Sequence, residues 1–160
     1  MKTSHARLDC RAGISRQVAD FVGSLARQAG LTAGQAYRLR IATDEIATNI
    51  AHYGYRDQDG VVDITGGFDA DRVWARLEDD SPPFDPSGHD PAPRLKAGPG
   101  GQQEGGFGLL VALTSVDDFA YEHIGGRNRN TLIVRRAALT KDIDEADGGH
   151  DDPQQSADRR

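Results

Sequence analysis

Three short stretches carry residue types at spacings that chemistry can use. In DEIATNIAHYGY (44–55), Glu45 and Asn49 stand one helical turn apart, on the edge of an apolar stripe. A carboxylate at the border of core and cleft can take a proton from a hydroxyl or a water. The neutral amide oxygen of Asn49 is a hard ligand suited to Mg²⁺, an ion that keeps several waters and shares substrate phosphates. In LEDDSPPFDP (77–86), Asp79 closes an alternating stretch. Buried there, it could accept the amino N–H of adenine, where guanine offers a carbonyl instead. Pro82 and Pro83 stiffen the adjoining turn, and Phe84 can pack beside a base. In GGFGLL (105–110), glycines ahead of a helix let backbone N–H groups approach phosphates at its positive end. Each stretch alone has a plainer reading: a solvated helix edge, an acidic turn, a loop before a core helix.

The elements that must position these residues are set by periodicity. Ile14, Val18, Phe21, Val22, Leu25 and Ala29 form one apolar stripe and predict a helix over 14–30 that stops at Gly30. A second helix is predicted from Thr32 or Gly34 to Tyr53, burying Leu39, Ala42, Ile46, Ile50 and Tyr53 and ending at Gly54. The period then changes to two. Residues 61–66 and 73–79 read as a strand hairpin around the turn DADR. A short helix is predicted over 107–116, then a second hairpin from DDFAYEH (117–123) and NTLIVRR (130–136), joined by IGGRN. Residues 6–11 suggest a short first strand. The expected fold is α+β, a two-layer sandwich with helices on one face of a mixed, mostly antiparallel sheet. The order is not the βαβ alternation of a Rossmann domain, and no GxxxxGK[ST] occurs.

Between the hairpins, residues 80–106 hold six of the seven prolines and few apolar residues, a length of connection that usually serves as a functional lid or is disordered. From about Leu139 the chain is acidic and poor in apolar residues, as expected of a disordered tail over 139–160. The 160 residues suit one domain, here expected over 1–138. A formal charge of −6 without a long basic run argues against direct binding of nucleic acid. No apolar run approaches a membrane span, and the N-terminus lacks the apolar core of a signal peptide. Cys10, the single cysteine, excludes an internal disulfide and fits a reducing, cytoplasmic setting.

Taken in order, helix-ExxxN, strand-DxxxxF, Gly-rich connection, GxG-helix and strand hairpin resemble the Bergerat-type ATPase superfamily, which includes gyrase, the MutL repair proteins and the histidine kinases. Within it the chain looks most like the single-domain anti-sigma-factor serine kinases of bacteria. DEIATNIAHYGY, DDSPPFDP, GGFGLL and GGRNRNTLIV carry the match, over residues 10–136. The resemblance implies ATP and Mg²⁺ as cofactors. It implies Glu45 as the base activating a partner's serine hydroxyl, Asn49 as the Mg²⁺ ligand and Asp79 as the adenine-recognition residue, with Phe84 beside the base. Gly106 and Gly108 would frame the glycine box, and Thr131 would lie near the adenine-binding Asp. Residues 85–104 would form the ATP lid, with Arg94 and Lys96 as its cations. The implied partners are a sigma factor and an anti-sigma-antagonist protein of the STAS type. Members commonly dimerise, which adds a homodimer to the expectation. One position departs from the family pattern DxGxxF: the glycine two residues after the Asp is Ser81. That departure keeps a second reading open, a regulatory adaptor that acts by stoichiometric partner binding without catalysis.

Overall fold

The computed structural model describes residues 2–88 and 106–136. Five strands form one sheet: β1 (Lys2–Asp9), β2 (Val61–Phe68), β3 (Arg72–Asp79), β4 (Asp118–Ile124) and β5 (Arg127–Arg135), in the spatial order β1-β2-β3-β5-β4. Every described pairing is antiparallel, so the mixed character expected of the sheet is absent from these strands. β1 is longer and starts earlier than the expected 6–11, because it pairs along the whole of β2, Lys2 opposite Phe68 through Asp9 opposite Val61.

Three α-helices cover one face: α1 (Ile14–Ala29), α2 (Ala33–Asn49) and α3 (Gly106–Ser115). α1 buries Ile14, Val18, Val22, Leu25 and Ala29 at the predicted spacing and ends on Gly30 in the left-handed conformation, φ 64°. α2 opens with a capping box. Thr32 Oγ1 accepts from Gln35 N at 3.1 Å, and Gln35 Oε1 accepts from Thr32 N at 2.9 Å, satisfying two otherwise unpaired donors. Leu25, Leu39, Ile46, Ile64, Leu77 and Leu132 are fully buried where helices meet sheet. With one apolar face per strand, the alternation along β3 and β5 sends Val73, Ala75, Leu77, Leu132 and Val134 into this layer.

α2 does not continue to Tyr53 as predicted. After Asn49 the chain widens into a π-turn, Ile50–Gly54. The wider turn rotates the next residues off the α2 stripe, so Ile50 is still buried whereas Tyr53 is 42% exposed. Tyr55 then ties this segment to the sheet: its hydroxyl donates to Val61 O at 2.9 Å and accepts from Asp80 N at 3.0 Å.

The second hairpin turns on Gly125 and Gly126, with φ 61° and 78°. Two successive positive φ values close a two-residue loop of the kind that matches strand twist. β5 therefore begins at Arg127, three residues before the predicted start, and Asn128 sits within the strand opposite Asp79. Residues 89–104 of the expected lid, with Arg94 and Lys96, and the expected tail 139–160 lie outside the described residues.

Candidate functional site

Asp79 ends β3 on the helix-covered face and is 0% exposed. Its Oδ1 accepts from Ser81 N at 3.0 Å, from the Ser81 hydroxyl, and from Asn128 Nδ2 at 3.1 Å. Its Oδ2 is buried and has no hydrogen-bond partner. An unsatisfied acceptor of this kind costs about 1–3 kcal/mol, and Oδ2 keeps the capacity for a further donor.

Beside it, Asn49, Tyr53, Gly54, Arg56, Pro82, Pro83 and Phe84 line an open cavity of about 190 Å³. α2 and its π-turn supply one wall, and the stiff Pro82–Phe84 turn supplies the other. Ser81, at the position where the family pattern has glycine, is buried and lies outside that lining. A Cβ on Gly54 would stand 2.6 Å from Ser81 Oγ and 2.9 Å from Ser81 Cβ. The missing side chain at 54 thus makes room for the extra one at 81. Arg56, a non-glycine residue at φ 54°, brings an exposed cation to the cavity rim.

Glu45 lies one turn before Asn49 on α2, with its carboxylate against the start of α3. A Cβ on Gly108 would overlap Glu45 Oε2 and come within 2.9 Å of its Cδ. Burial, and secondly the neighbouring Asp44, raise the Glu45 pKa above the usual carboxylate range. That is the direction wanted of a base working near neutral pH. Gly106 opens α3, and Leu109 and Ala112 bury its inner side.

The structure thus gathers Asn49 and Phe84 at one cavity. Asp79, at the end of β3, lies outside that lining and is tied to its wall through Ser81 and Asn128, and Glu45 meets Gly108 where α2 and α3 touch. Thr131 is not brought to Asp79, and the placement expected of it is corrected. Thr131 pairs with Arg76 on the sheet face away from the helices, and its Oγ1 accepts from Arg76 Nε at 3.3 Å. Side chains alternate along β5, so Asn128 and Asn130 take the Asp79 face. Asn130 pairs with Leu77, and its Oδ1 is a second buried acceptor without a partner.

Asn128 is the residue that sequence reasoning missed. It is 2% exposed, and its Nδ2 donates to Ser81 O at 2.9 Å and Pro82 O at 3.3 Å as well as to Asp79. Its Oδ1 accepts from Phe84 N at 3.3 Å and from the Tyr121 hydroxyl at 2.5 Å. Gly-Gly as a two-residue hairpin loop was the available signal, since it starts the strand at Arg127.

The profile of the histidine kinase-like ATPase domain matches residues 11–136. The chain belongs to that family. Membership implies an ATP-binding domain, and the orphaned Asp79 Oδ2 beside a cavity walled by proline and aromatic rings fits a purine with an exocyclic amine. No curated protein matches the chain. For magnesium, Asn49 offers one hard oxygen at the cavity, and the described residues contain no cluster of three His, Cys, Asp or Glu side chains able to hold a metal. That donor set fits an ion carried in by phosphates and waters rather than one caged by protein. No helix among the described residues is long and apolar enough to cross a membrane.

Proposed function

We propose that this histidine kinase-like ATPase domain is an anti-sigma regulatory factor that phosphorylates a serine or threonine of an anti-sigma-antagonist protein of the STAS type, and that it acts in the cytoplasm. The observation carrying the reading is the buried Asp79 carboxylate, with one oxygen saturated and the other without a partner, three residues before Pro82 in the wall of a cavity bordered by Asn49.

In this reading Asp79 accepts the adenine amino group, and Phe84 and Pro82 pack beside the ring. Asn49 would hold Mg²⁺, which would supply neutralisation of the triphosphate charge. Glu45 accepts the proton of the partner's hydroxyl. The freed oxygen forms a bond to the γ-phosphorus as the bond to the ADP oxygen breaks, and ADP departs. Transfer of this kind asks little covalent chemistry of the protein and much positioning. A carboxylate whose pKa is raised by burial is the better proton acceptor for it.

The test uses purified protein, Mg²⁺, γ-labelled ATP and the cognate antagonist, found by capture from the native cell together with any sigma factor. Wild-type protein is expected to label the antagonist on serine or threonine, and Glu45→Ala to bind ADP without labelling it. Wild-type protein that binds both ATP and antagonist and transfers nothing defeats the kinase reading in favour of the stoichiometric adaptor. Size-exclusion chromatography with light scattering checks the homodimer.

A further inference from the structure

Asp79 alone does not make a selective base pocket. A carboxylate offers about four acceptor positions over two equivalent oxygens, and an unanchored one can tilt and use them on water as readily as on a ligand. What distinguishes this site is that three donors converge on one oxygen. Ser81 N, the Ser81 hydroxyl and Asn128 Nδ2 all point at Oδ1, and Oδ2 receives none. Tilting the carboxylate out of its plane, or drawing it back, would strain all three bonds together.

Asn128 does more than donate. Its two amide hydrogens face Asp79 Oδ1 and the carbonyls of Ser81 and Pro82, while its oxygen accepts from Phe84 N and Tyr121 Oη. Acceptors surround the nitrogen and donors surround the oxygen, which settles the amide's orientation. One buried side chain therefore fixes both the carboxylate and the backbone of Phe84 on the cavity wall. A buried amide with both its nitrogen and its oxygen paired is held rigidly.

We propose that Asn128 and Ser81 are positioning residues that set the pocket's selectivity for a 6-amino purine over a 6-oxo purine. The inference rests on the ATP reading above and adds to it the residues that make Asp79 discriminate. With one oxygen occupied and the plane of the carboxylate held, a ring that reaches Asp79 meets only the other oxygen. An exocyclic amine satisfies it. A ring carbonyl puts acceptor against acceptor and leaves Oδ2 unpaired. Sites built to bond a specific N–H reject analogues that lack it far more strongly than apolar pockets reject a change in size. Once the clamp is loosened, the carboxylate can tilt and admit water, and the penalty on the 6-oxo ring falls.

The experiment measures the dissociation constants of ADP and of inosine diphosphate by calorimetry for wild type, Asn128→Ala, Ser81→Ala and Ser81→Thr, each checked for a cooperative melt. Wild type is expected to prefer ADP. The ADP preference is expected to fall by about tenfold or more in Asn128→Ala and by a smaller factor in Ser81→Ala, with inosine diphosphate affinity unchanged or improved. Ser81→Thr, which keeps the hydroxyl, is expected to retain more of the preference than Ser81→Ala. A merely structural role would weaken both nucleotides alike and leave the ratio intact. If Asn128→Ala does not fold, Ser81→Ala decides. Wild-type selectivity in folded Ser81→Ala and Asn128→Ala overturns the inference and leaves the ATP reading standing. Wild-type protein that binds neither nucleotide overturns both.

Discussion

Gly108→Ala separates the role of the α2–α3 contact in stability from its role in chemistry. Gly108 is the third residue of α3, and Glu45 Oε2 occupies the space a Cβ would need. Alanine in a helix is favoured over glycine by roughly 0.5–1 kcal/mol, and the displaced atoms are the end of a flexible side chain. The variant should therefore melt at or above the wild-type temperature. To restore ordinary contact, at about 3.5 Å, the Glu45 carboxylate must retreat by roughly an ångström or more. Misplacing a catalytic group by that distance costs about 10²-fold in rate, against about 10²–10⁴-fold for losing a general base altogether. The assay is transfer of label from ATP to the antagonist, beside a thermal melt and an ADP titration. A double-mutant cycle with Glu45→Ala isolates the cause. If the new methyl acts by moving Glu45, then adding Gly108→Ala to Glu45→Ala changes little. Full activity in Gly108→Ala, or losses that multiply in the double variant, would refute the reasoning.

Three further outcomes are expected. Because the Glu45 pKa is raised in the fold, activity should decline with acidification at a higher pH than for an ordinary carboxylate, as a pH–rate profile can show. The same shift makes wild-type stability greatest below the unfolded-state pKa and lower once pH passes the folded one, so Glu45→Gln should raise the melting temperature at neutral pH by a margin that shrinks in acid. Gly54→Ala drives a methyl into Ser81 and should cost about 1–3 kcal/mol in denaturant titrations, with much of the loss recovered by adding Ser81→Gly. Asn49→Ala should bind ATP with an affinity that no longer responds to Mg²⁺ while keeping its response to adenine, as titrations with and without EDTA would show.

Much of this architecture was legible from periodicity. The stripe on α1, the Thr32 start of α2 and the hairpin around 69–71 all arise from local pattern. What escaped was register. The apolar positions of α2 continue in phase through Ile50, so a regular helix to Tyr53 is the natural reading, and nothing in IAHYG announces a wider turn. In the second hairpin, reading IGGRN as loop removed Arg127 and Asn128 from β5 and concealed that Asn128 faces Asp79. Thr131 failed for a related reason, because a period of two makes an error of one residue an error of face. Glu45, Asn49 and Asp79 stood out because their motifs follow one another in the order of a known family. Asn128 and Gly54 act through what they touch, and that depends on pairings the linear pattern does not display.

The π-turn at Ile50–Gly54 also bears on how such a domain can change. Upstream of it, Leu39 and Ile46 answer to the core; at its last residue Gly54 answers to Ser81, and just beyond it Arg56 answers to the cavity rim. The widened turn decouples these two demands much as a clutch separates shafts. Side-chain replacements on the core side leave the cavity wall in place. Gain or loss of one residue within 50–54 instead swings that wall by about 100° about the helix axis. A single-codon deletion there therefore shifts Tyr53, Gly54 and Arg56 off the cavity at one step, whereas a substitution changes one side chain at a time.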